Sequence, residues 1–143
     1  MRSKLYALIA FVLVSAGAVL SQQPQGPDPI GDNFFPPELV MQHQQAIALT
    51  EDQKAAFKSE IRSSQTRFTE LQWQLQDEME KMAALVKGEQ VDEQQTLAQL
   101  DKVLNVEREI KRTQIALIIR IKNRLTPEQQ ARLQKIKGEL RGK

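Results

Sequence analysis

Leu49-Thr50-Glu51-Asp52-Gln53 and Leu125-Thr126-Pro127-Glu128-Gln129 are two copies of one phrase, Leu-Thr-x-x-Gln. Each reads as a helix start. The Thr hydroxyl accepts from the backbone N–H three residues on, and the Gln side chain at that position reaches back to the Thr backbone. Glu51, Asp52 and Glu128 put negative charge where the helix dipole favours it. Pro127 takes the first helical position, where a missing N–H is harmless. Gly88 lies midway between Thr50 and Thr126. A chain that reverses near Gly88 brings both phrases side by side at one end of an antiparallel helical hairpin.

The first phrase opens a long helix, about 51–87. Its apolar stripe is Phe57, Ile61, Phe68, Leu71, Leu75, Met79, Met82 and Val86, with Ser64 in line. The steps of three and four residues make a coiled-coil-like seam, roughly 55 Å long at about 1.5 Å per residue. Asp92 and Gln95 repeat the capping logic and open a second long helix, 93–124. Here Val103, Val106, Ile110, Leu117 and Ile121 share one direction. Leu97, Leu100, Leu104, Ile115, Ile118 and Leu125 point about 90–100° away, and Ile119 further round. One partner helix cannot cover so wide an arc, so a second interface is implied: another subunit, the short flanking helices or a bound client. The second phrase opens a last helix, 127–140, with Leu133, Ile136 and Leu140 as its stripe. A short candidate helix, 38–48, carries Leu39, Val40, Ile47 and Leu49. Strand-type alternation is absent. The fold class is all-α, a long antiparallel hairpin with short flanking helices, four helices in all.

The N-terminal 21 residues read as a signal peptide. Arg2 and Lys4 precede an apolar run from Leu5 to Leu20, with Ala16, Ala18 and Ser21 as small residues for cleavage. An uncleaved anchor holding a structural or adaptor coiled coil at the membrane is the alternative, although the run is short of the ~20 residues a span prefers. Residues 22–37 hold five prolines and two glycines, a flexible leader whose Phe34 and Phe35 either dock on the body or stay free. The helical domain spans 38–140. Lys and Arg number 20 against 18 Asp and Glu. Arg2 and Lys4 supply the whole excess, so the rest is formally neutral and nucleic-acid binding loses its electrostatic motive. The chain has no cysteine, which excludes disulfides and thiolate metal sites and, in an exported protein, fits a bacterial periplasm. A membrane partner is expected only if the first segment stays uncleaved.

No catalytic constellation, phosphate-cradling glycine loop or HExxH motif is present, so the expectation is a non-enzymatic protein without a cofactor. His43 is the only histidine, and it could hold a divalent transition metal only with carboxylates or a second subunit's histidine. Met79 and Met82 are core residues or a soft contact surface. Trp73 falls two residues from both Leu71 and Leu75, so it faces away from the seam among Gln72, Gln76 and Asp77. It is a binding or subunit contact, or a ring lying flat on its neighbours. Arg108, Lys111, Arg112, Arg120, Lys122 and Arg124 accompany the apolar arc of the second long helix. Trp73, Ile115, Ile118, Ile119, Arg120 and Lys122 are the candidate client or dimer surface.

The paired motif, Leu49, Thr50 and Gln53 with Leu125, Thr126 and Gln129, resembles that of the periplasmic Spy/CpxP family, related to heavy-metal sensors of the CnrX and ZraP type. The resemblance implies a four-helix protomer pairing into an antiparallel, cradle-shaped homodimer. It implies one of three roles: holding unfolded envelope proteins without ATP, restraining the periplasmic domain of a stress-sensor kinase, or sensing transition metals. The metal-binding members carry His-x-x-x-His on the first helix; here Ile47 stands four residues after His43. The formally neutral body also departs from strongly basic chaperone members and weakens long-range steering of acidic clients.

Overall fold

The computed structural model describes residues 30–142. The first 29 residues, and with them the signal-peptide reading and most of the leader, lie outside the described residues. The chain divides into two compact units, residues 1–32 and 33–143; the second contains the helices. Among the described residues these are α1 (Pro37–Gln42), α2 (Glu51–Val86), α3 (Glu93–Arg124) and α4 (Pro127–Arg141), with no strand. The long helices α2 and α3 pack on each other as the expected hairpin.

The seam of α2 follows a strict alternation of four and three: Phe57, Ile61, Ser64, Phe68, Leu71, Leu75, Glu78, Met82 and Leu85 are its buried or half-buried positions. Its mean period of 3.5 is the heptad spacing that keeps one edge of a helix against its partner. The apolar residues alone mislead at the far end. Met79 and Val86, expected in the stripe, are 49% and 46% exposed. Glu78 and Leu85 replace them. The reason lies across the hairpin, where buried Gln99 of α3 donates through Nε2 to the Glu78 backbone oxygen (2.9 Å) and to its carboxylate (2.6 Å). Hydrogen bonds from Lys81 and then Gln99 hold the Glu78 carboxyl below the usual carboxylate range. On α3 the matching positions are Gln99, Val103, Val106, Ile110, Thr113, Leu117 and Ile121.

Two further readings change. The 38–48 segment is helical only to Gln42; it continues in hydrogen-bonded turns to Ala48, whose φ is 51°. That left-handed residue ends any helix and turns the chain so that Leu49 enters the core and Thr50 caps α2. Leu140 is 56% exposed and outside the core. Gly88 lies in the reversal after α2, but its φ is not positive. A Cβ there would meet the Gln90 oxygen at an ordinary 3.4 Å.

The hydrophobic core sits at one end of the hairpin. Phe35, Val40, Ile47, Leu49, Phe57, Ile121, Leu125 and Leu133 form one buried cluster there. Phe35 thus docks on the body. The ammonium of Lys122 lies 5.6 Å from the Phe34 ring centroid and donates to the Asn33 oxygen, while Lys137 donates to the Phe34 oxygen.

Candidate functional site

The two Leu-Thr-x-x-Gln phrases meet at the core end of the hairpin. Each is a complete capping box: the Gln53 N–H donates to Thr50 Oγ1 and the Thr50 N–H to Gln53 Oε1, both at 3.1 Å, and Gln129 repeats this with Thr126 at 3.2 and 2.9 Å. The two glutamines also bind each other. Gln53 Nε2 donates to Gln129 Oε1 and Gln129 Nε2 to Gln53 Oε1, both at 2.9 Å. The remaining amide protons go to matching backbone oxygens two residues before each threonine, Gln53 to Arg124 (2.7 Å) and Gln129 to Ala48 (3.3 Å). The clasp therefore has local two-fold symmetry, and each amide uses both donors and both lone pairs. Leu49 and Leu125 are buried beside it. Residue spacing anticipates the two boxes; the reciprocal amide pair is visible only in the structure.

Midway along the hairpin the seam changes character. Ser64 of α2 and Thr113 of α3, small polar residues at seam positions, line openings on both sides of it. The larger is an open groove of about 860 Å³ lined by Ser63, Arg67, Arg108, Lys111, Arg112, Ile115, Ala116, Ile119 and Arg120 as well as that pair. Among the described residues five cations and no carboxylate line it. Arg67, Arg112 and Arg120 share their charge with Glu70 (3.3 Å), Glu109 (3.7 Å) and Glu60 (3.2 Å); these are exposed pairs of small energetic value. Among the described residues Arg108 and Lys111 make no ion pair. Ile119 is 40% exposed and Ile115 half-buried, so the groove combines an apolar lining with unneutralised positive charge.

The other candidate residues fall elsewhere. Ile118 is half-buried beside this lining, and Lys122 is engaged with Asn33 and Phe34. Trp73 is 64% exposed on the face of α2 turned away from the seam. The sequence reading missed Ser63, Ser64, Arg67, Thr113 and Ala116 as groove residues. The available signal was the pairing of small polar residues at seam positions of both long helices.

His43 caps the end of α1, half-buried, and four residues on Ile47 is sealed in the core. Among the described residues no three His, Cys, Asp or Glu side chains gather where they could hold a metal ion. The described donors of one chain do not fit a resident transition metal, which needs about four ligands. No helix among the described residues is long and apolar enough to cross a membrane.

A family model described as heavy-metal resistance matches residues 5–132. No curated protein and no solved structure matches the chain.

Proposed function

Because the chain belongs to the heavy-metal resistance family, which contains the CnrX-, ZraP- and Spy-like periplasmic proteins, we propose that it serves resistance by holding damaged envelope proteins. On this reading it is a non-enzymatic, ATP-independent periplasmic binding protein. One observation carries the reading: the Arg108–Arg120 groove offers apolar side chains together with cations, of which Arg108 and Lys111 have no ion pair among the described residues, and no described carboxylate is in its lining. Unfolded segments present apolar and acidic groups at once. Ile115 and Ile119 take the first by burial, Arg108 and Lys111 the second by charge. Binding needs no nucleotide, because the groove is open and its contacts are reversible.

Ile119→Asp tests this. The variant places a carboxylate among five cations and removes the exposed apolar contact, and it leaves the buried seam untouched. Suppression of client aggregation is expected to fall about tenfold in effective concentration, the equivalent of ~1.4 kcal/mol of lost contact. Ile118→Asp, beside the lining, is expected to fall in the same direction. Parent-like suppression by both variants would reject the groove as the binding surface.

Membership of this family also favours a second reading, direct metal sensing through His43 shared between copies. Titration with zinc, copper, nickel and cobalt separates the two. The expected result is no site tighter than about millimolar, the weak range of a lone imidazole, and no change in His43→Ala. A tight site abolished by His43→Ala would transfer the assignment to sensing.

A further inference from the structure

The groove along α3 is not uniform. Arg108, Lys111 and Arg112 line its first part and Ile115, Ala116 and Ile119 the part beyond, at steps of three and four that share one helix face. Across the hairpin Gln99 meets Glu78 and Arg120 meets Glu60. That antiparallel register sets Arg67 of α2 opposite residues 110–113, so a fourth cation joins the first part. Charge and apolar lining are therefore segregated along about 17 Å of helix, at ~1.5 Å per residue. At the boundary between them stand two unanswered hydroxyls. Ser64 is only 9% exposed, and neither it nor Thr113 makes a side-chain hydrogen bond among the described residues. Both line the main groove, and both line the smaller opening of about 170 Å³ across the seam, with Phe68 and Leu117. A buried hydroxyl without a partner is costly, and a polar ligand atom in the groove answers it.

We propose that the groove is a binding site for one molecule of a single-chain amphiphile with an anionic head. The head sits among Arg67, Arg108, Lys111 and Arg112, with the hydroxyls of Ser64 and Thr113 at its edge, and the chain lies along Ile115 and Ile119. Arginine forks suit a phosphate or carboxylate head, and the lysine adds a point charge. A free inorganic anion uses only the first part of the groove. An uncharged chain uses only the second and leaves four cations unanswered. The segregated lining favours a molecule that carries both. This site shares its groove with the holding function but does not depend on it; where both operate, amphiphile and client compete.

Isothermal titration of the full chain with decyl phosphate, below its micelle concentration and at low salt, tests the site. One molecule per chain is expected, with Kd between about 1 and 100 μM, weakening as salt rises. Inorganic phosphate and uncharged decyl maltoside should each bind at least about tenfold more weakly. Shortening the chain to octyl phosphate should weaken binding about fourfold or more, the effect of two partly buried CH₂ groups. Arg108→Gln/Lys111→Gln should cost decyl phosphate at least about tenfold and leave decyl maltoside unchanged. Ser64→Ala, which keeps the opening and removes the hydroxyl, should cost decyl phosphate about three- to tenfold. Far-UV circular dichroism checks that each variant and each complex keeps its helicity. Four results would overturn the proposal: no binding, many molecules per chain, inorganic phosphate or the maltoside binding as tightly as decyl phosphate, or variants that bind like the parent. If decyl phosphate binds as expected and the parent fails to suppress aggregation, the holding function falls and the site stands. If the parent suppresses aggregation and no decyl phosphate binds, the site falls and the holding function stands.

Discussion

Phe57→Ala lowers the stability of the protein by about 3–5 kcal/mol, the loss expected for deleting a fully buried phenyl ring. Phe57 is completely buried and belongs to the core cluster at the clasped end of the hairpin. That cluster gathers residues from the Phe35 segment, α1, the two phrase leucines, both long helices and α4. A hairpin of this kind has little interior elsewhere, so the loss is a large part of a total on the order of 5–15 kcal/mol. Urea unfolding followed by circular dichroism measures it as a lowered midpoint. Phe68→Ala is the internal comparison. Phe68 is half-buried at the opening in mid-hairpin, and its loss should be clearly smaller. Equal losses at the two positions would mean that the core is spread along the hairpin rather than gathered at one end.

The second large effect is at the clasp. Gln129→Ala removes an amide that answers the Thr126 N–H, both groups of Gln53 and the Ala48 oxygen. Polar groups left without partners in a buried site each cost about 1–3 kcal/mol, and the cap itself is worth about 1 kcal/mol. A total of about 2–4 kcal/mol is expected. Gln53→Ala should cost somewhat less, because Gln53 is the more exposed of the two. The double variant should be less damaging than the sum of the singles by about 1–2 kcal/mol, since each single change strands the other's amide. Additive losses would show that the two boxes act as independent caps and that their mutual bonds contribute nothing.

The hairpin, the bounds of α2 and α3 and the meeting of the two phrases were legible because capping obeys local rules. Thr50, Asp92 and Thr126 each name a helix start by their own chemistry, and the geometry agrees at all three. The seam was legible only where it is apolar. Glu78 and Gln99 occupy seam positions as polar partners, a choice settled by a residue 21 positions away, and no periodicity in hydrophobicity records it. The same limit hid half of the groove. Arg108, Lys111, Arg112, Ile115, Ile119 and Arg120 stood out as a basic and apolar run on α3. Ser64 was read as part of the seam but Thr113 was not, and the pattern does not show that two small side chains at facing seam positions open the space. The turn at Ala48 was invisible because nothing local prefers a positive φ there; the demand comes from fitting Leu49 into the core.

The reciprocal amide pair also constrains how such a gene can change over time. Each glutamine has as its neighbour a copy of itself, so neither phrase can drift alone without passing through a crippled ancestor. Any lineage that abandons the pair must alter both phrases nearly together. Substitutions at positions 53 and 129 should therefore be inherited as a couple.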